Sequence, residues 1–147
     1  NNEKNLGENI LVVDVNWRQN PLAISEWLYQ RGHNVIIISS EYFVGEGINI
    51  ASRTSYYKRL LGKVKFLPLT EFISHKDGVA EVRNVITNKH HQITPINQIV
   101  FSCGFLPNRE LFDAFQEIPK VFQVGACDIP TGISDAILKA NRMARLL

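Results

Sequence analysis

Residues Ile10–Val13 form an unbroken apolar, mostly β-branched run, the pattern of a strand covered on both faces inside a parallel sheet. A polar turn follows, and then Leu22, Ile24, Trp27 and Leu28 recur at helical spacing, largely on one face. Asn20 is suited to cap that helix, Pro21 to open it, and Gly32 to close it. Asn34–Ser39 reads as a second buried strand. Strand, helix and strand together make a βαβ unit, whose crossover is expected to be right-handed.

Beyond it, 49–64 suits a helix with Lys and Arg in its last turns and Gly62 at its end. Residues 65–77 begin as a short strand and continue as a second one. Residues 78–86 alternate apolar and polar positions, 87–91 turn the chain back, and 92–103 carry it through to a strand ending at Cys103. This pattern predicts an α/β chain: a Rossmann-like, three-layer fold of the dinucleotide-binding type, with an antiparallel β meander. From Gly104 the texture changes to loop, a short helix over 109–117, a strand over 120–124 and a helix from about Gly132 to Leu147. That last helix should turn Ile133, Ala136, Ile137, Ala140, Met143, Ala144 and Leu147 to a core. The expected organisation is a linker at 1–8, a domain at 9–103 and a separate segment at 104–147.

The net charge of +2 gives no reason to expect a nucleic-acid or membrane partner. No apolar run approaches membrane-spanning length and no signal peptide opens the chain. Cys103 and Cys127, without CxxC spacing, are expected as buried, reduced thiols in a cytoplasmic protein. The first residue is Asn rather than Met, so the chain is expected to be a piece of a longer protein.

The chemistry concentrates in three places. Dinucleotide binding at a first βα turn needs G-x-G-x-x-G, so that the backbone can approach pyrophosphate. Counted back from Gly32 without gaps, those glycines fall on Asn16, Arg18 and Pro21. Trp17 adds bulk as a plug, and Pro21 has no N–H to offer; Arg18 could still present charge to a phosphate, although an exposed arginine needs no ligand. The acid that would hold the adenosine ribose falls on Ser39, with Glu41 two residues beyond. The second place is the break of strand 99–103 at Gly104 into a Pro-Asn turn. The third is the stretch from Gly125 and Ala126 to a helix beginning near Thr131–Gly132, whose N-terminus could attract an anion. His33, His75, His90 and His91 show no metal-ligand spacing, no Ser/His/Asp or Cys/His set assembles, and no catalytic or metal residue is assigned.

Taken together, "IVFSCGFLPN" (99–108) and "VFQVGACDIPTGISDAILKANRMARLL" (121–147) resemble the C-terminal end of flavoproteins with two dinucleotide-binding domains. The resemblance is strongest to the NADH:flavin oxidoreductase group that contains 2,4-dienoyl-CoA reductase and trimethylamine dehydrogenase. It rests on the "RGHNVIIIS" join, the "GFLPN" turn and the helix carrying Asp135, Ala136, Ala144 and Arg145, and it covers nearly the whole chain.

The resemblance implies a large parent oxidoreductase, with FMN and a 4Fe-4S cluster in an N-terminal TIM barrel, followed by FAD-type and NAD(P)-type domains. Residues 9–103 would then be the NAD(P)-type domain and 104–147 the returning segment of the FAD-type domain. In trimethylamine dehydrogenase the NAD-type domain also lacks the glycine motif and does not use NAD(P)H. The aspartate that holds the FAD ribityl chain in relatives falls on Ala126, with Asp128 two residues later, and a glycine of the final helix falls on Asn141. No cofactor is therefore expected in this chain, neither FAD nor NAD(P). Its partners would be the other domains of the same parent and an electron-transfer protein. Two alternatives stay open: a working NAD(P)H- or FAD-binding reductase module with an unusual turn, and an unrelated α/β interaction domain.

Overall fold

The computed structural model describes residues 6–15, 21–130 and 132–146. The chain divides into two compact units, Asn1–Cys103 and Gly104–Leu147. In the first, strands β1 (Asn9–Asp14), β2 (Asn34–Ser39), β3 (Lys65–Leu67) and β7 (Gln98–Ser102) form a parallel sheet in the order β3-β2-β1-β7. Strands β4 (Thr70–Lys76), β5 (Val79–Asn84) and β6 (His90–Ile93) form a separate antiparallel meander.

Alternation along β1 explains why its run is wholly apolar. Ile10 and Val12 pack with Val35 and Ile37 against Leu22 and Leu28 of α1 (Pro21–Gln30) and Leu60 of α2 (Ile50–Leu60). Leu11 and Val13 point the other way, joining Ile38 against Ala80 and Val82 of the meander. The result is three layers, two helices over the sheet and the meander beneath it, as the sequence pattern predicts.

Helix α1 differs in detail. Its buried stripe is Leu22, Ser25 and Leu28, while Trp27 is half-exposed and stacks under the Arg31 guanidinium, 3.7 Å from the ring centroid. Positions three apart stay on one face, and Trp27 lies a residue off that stripe. Helix α2 ends at Leu60, short of 64, because Leu61 turns extended and bridges to Val64 while Gly62 takes φ +80°.

The second unit holds α3 (Glu110–Ala114), a 3₁₀ turn over Gly125–Cys127 and α4 (Ile133–Ala144). Residues 120–124, expected as a strand, form none, since the described residues of this unit offer no strand for them to pair with. Helix α4 buries no residue, and Ile133 and Ile137 are exposed rather than turned to a core. Leu147 lies outside the described residues. Both cysteines are free thiols but exposed, not buried: Cys103 follows the last strand residue, and Cys127 sits in the 3₁₀ turn, where its Sγ donates to the Val124 carbonyl.

Candidate functional site: the carboxyl end of the parallel sheet

In open α/β sheets ligands bind beyond the carboxyl ends of the strands, where the strand order diverges. Here that point is the end of β1, flanked by β2 and β7. Of the nine positions singled out in the sequence, Asn16, Trp17, Arg18 and Thr131 lie outside the described residues. Ser39 ends β2 and is buried; its Oγ accepts the Glu41 N–H at 3.3 Å. The Glu41 side chain is exposed. In the second unit, Gly104 and Gly125 both take positive φ, +88° and +80°, where a turn needs glycine. Ala126 sits within the 3₁₀ turn, and the nearby Asp128 carboxylate is taken by Lys139 Nζ at 2.6 Å.

The residue that sequence reasoning missed is Asp14. It is the one charged residue of β1, and only 6% of its surface is exposed. Its register partners are Ser39 on β2 and Ser102 on β7, also buried. By alternation all three side chains share the helix-facing side with Ile10 and Val12. The Gly45 N–H donates to Asp14 Oδ2 at 3.0 Å, whereas Asp14 Oδ1 and Ser102 Oγ have no hydrogen-bond partner among the described residues. Burial pushes the Asp14 carboxyl above the ordinary carboxylate range, and the Gly45 N–H and neighbouring Ser39 hydroxyl pull it back only in part. No cation pairs with it among the described residues. The available sequence signal was a carboxylate closing an otherwise apolar strand.

The donor to Asp14 comes from the loop between β2 and α2, which folds back over this end of the sheet. Val44 is buried in the helix-side core, and the Tyr57 hydroxyl donates to its carbonyl at 3.0 Å. Gly45, at φ +69°, lies so close to α1 that an added Cβ would sit 3.0 Å from Leu22 Cδ1 and 2.9 Å from Ile48 Cδ1. Leu22 belongs to the first turn of α1, the turn that cradles pyrophosphate in a working site. The β2–α2 loop and the Asp14 carboxylate thus pack against the start of α1. Among the described residues this buried carboxylate has no counter-cation, and such a group repels a phosphate.

On the opposite face, under the meander, lies a cavity of about 630 Å³. Val13, Asp14 and Val15 at the end of β1, with Phe101 and Cys103 at the end of β7, form one side. Ser40 and the start of β4, Thr70, Glu71 and Phe72, form the other. The Phe72 and Phe101 rings meet edge to face, centroids 5.4 Å apart, and Glu71 is ion-paired with Arg83. None of these lining residues is Lys, Arg or His.

No protein-family model matches the chain, and no curated protein matches it. Solved structures do. Histamine dehydrogenase from Rhizobium sp. 4-9 matches over 96% of this chain with a TM-score of 0.81 and 22% identity. The 6-hydroxypseudooxynicotine amine oxidase from Pseudomonas geniculata N1 matches over 94% with a TM-score of 0.82 and 14% identity. A 2-naphthoyl-CoA reductase matches over 94% with a TM-score of 0.69 and 16% identity. The chain spans 23%, 22% and 21% of those proteins respectively, and at these identities the likeness establishes the fold alone. Among the described residues, no helix is long and apolar enough to cross a membrane.

Proposed function

We propose that this chain is a dinucleotide-binding-type domain that no longer binds a dinucleotide and serves as a structural module of a larger flavin-dependent oxidoreductase. Residues 9–103 are the NAD(P)-type domain, and 104–147 the returning segment of a neighbouring FAD-type domain. Catalysis belongs to the rest of the parent, a cytoplasmic enzyme of the trimethylamine dehydrogenase or dienoyl-CoA reductase kind, with FMN and an iron–sulfur cluster outside this chain. A protein electron acceptor takes the place of NAD(P)H.

The observation that carries the loss of binding is the buried Asp14 carboxylate, held by the Gly45 N–H at 3.0 Å beneath a loop packed on Leu22. The oxidoreductase parentage is supported by the fold-level match to three oxidoreductases, each over at least 94% of the chain. Within this chain the residues only pack and exclude. Val44 and Gly45 close the first turn of α1, and Asp14 places negative charge where phosphate would lie. The test uses the full-length parent. Mixed anaerobically with NADH or NADPH, its flavin should stay oxidised; flavin reduction by either nucleotide within seconds would overturn the reading.

A further inference from the structure

The chain's net positive charge comes entirely from the segment that holds α1 and α2. Residues 21–65 contain six of the sixteen Lys and Arg but only three of the fourteen Asp and Glu, so they carry +3 while the rest of the chain carries −1. From Ile50 to Lys65 there are five cations and no acid. An ordinary solvated surface intersperses both signs, whereas a field of one sign attracts and steers an oppositely charged partner.

Several of these cations are also held in place. Arg31 lies 3.7 Å from the Trp27 ring centroid and donates to the Trp27 carbonyl at 3.4 Å. Lys63, just beyond α2, reaches back to Tyr29 on α1, 6.0 Å from its ring centroid. Arg59 lies 4.7 Å from the Tyr56 ring centroid and clasps Glu26. Arg31, Lys58, Arg59 and Lys63 are all exposed, and Arg59 alone of the four is ion-paired with a described carboxylate. Cations already anchored on rings lose less side-chain freedom when a partner arrives.

We propose that the outer face of α1 and α2 is a docking surface for a separate protein that presents an acidic surface. Charge complementarity picks out this partner. A second copy of the chain would bring like charge against like charge. Nucleic-acid bases would need open ring faces on which to stack, and a face of Trp27 and of Tyr56 already carries a guanidinium. A permanent contact with another domain is more apolar than a surface whose rings lie beneath charged groups. The face thus suits an association that forms and releases readily and weakens with salt. The inference is independent of the loss of dinucleotide binding.

The probe is fluorescently labelled decaglutamate, titrated with the 147-residue chain and followed by anisotropy. It should saturate with Kd at or below about 100 μM in about 50 mM salt, and weaken at least about fivefold in about 0.3 M salt. Arg31→Glu, Lys58→Glu and Lys63→Glu combined should weaken it at least about tenfold. Lys76→Glu, Lys89→Glu and Lys120→Glu, the same change of charge at exposed positions elsewhere, should weaken it less than about threefold. Circular dichroism melting identifies a triple variant that fails to fold, and the same three positions changed to Gln then decide. Absence of saturable binding, or an equal loss in both triple variants, would overturn the proposal. So would tighter binding of oligothymidylate of the same length, or co-sedimentation with phosphatidylserine-containing vesicles at physiological salt. Loss of decaglutamate binding in the full-length parent would show that another domain covers the face, and would overturn it as well.

Discussion

A single carboxylate, Asp14, gives the sheet end its character, and its energetics can be tested directly. Its folded-state pKa is raised by burial, so the folded chain holds this proton more tightly than the unfolded chain. Stability from this group is full below the ordinary Asp value of about 4 and is lost as pH rises through the raised value. Asp14→Asn removes the desolvated charge and keeps an acceptor for the Gly45 N–H. It should therefore raise the melting temperature at pH 8 and flatten the decline in stability above about pH 4. Asp14→Ala leaves the buried Gly45 N–H without its partner, and should be less stable than Asp14→Asn by about 1–3 kcal/mol in urea unfolding. If Asp14→Asn lowers the pH 8 melting temperature, the carboxylate is stabilised by something other than the contacts described.

At the scale of elements, the strands were legible because burial on two faces writes itself as an unbroken apolar run, as in Ile10–Val13 and Val35–Ile38. The loop over 40–49 was not. Its role depends on a hydrogen bond between residues 31 apart, and nothing local in "SEYFVGEGIN" shows that Val44 turns inward. Ser39 was read correctly as the end of β2, but its buried neighbours Asp14 and Ser102 emerge only from the register of three strands. Residues 120–124 read as a strand because strand propensity is local, whereas a ladder partner is not.

The loop carries its own prediction. Gly45→Ala forces a side chain into a left-handed backbone and against Leu22 and Ile48, and should cost about 1–2 kcal/mol from the backbone alone. Leu22→Ala beneath it should cost about 2–5 kcal/mol. Glu26→Gln, which breaks the Glu26–Arg59 clasp between α1 and α2, should change stability by less than about 1 kcal/mol, because the arginine is largely solvated. Urea titration of the three variants gives the ranking, and a larger effect for Glu26 than for Leu22 would contradict it.

At the scale of the whole molecule, both hydrophobic clusters draw all their buried residues from positions 10–96. The three-layer unit therefore holds its own core, and a chain ending at Cys103 should still unfold cooperatively, within a few degrees of the full chain. A broad, non-cooperative melt would show that the core depends on residues 104–147. Helix α4, by contrast, exposes 81% of Ile133 and 64% of Ile137, so the second unit acquires its apolar face without a core of its own to receive it. The most direct measurement of the central claim is isothermal titration of the 147-residue chain with NADH and with NADPH. A β2–α2 loop packed on Leu22 and a buried Asp14 carboxylate predict no saturable heat below about 1 mM of either nucleotide. Saturable binding with Kd below about 50 μM would mean that the loop and Asp14 move aside for the phosphates, contradicting the account.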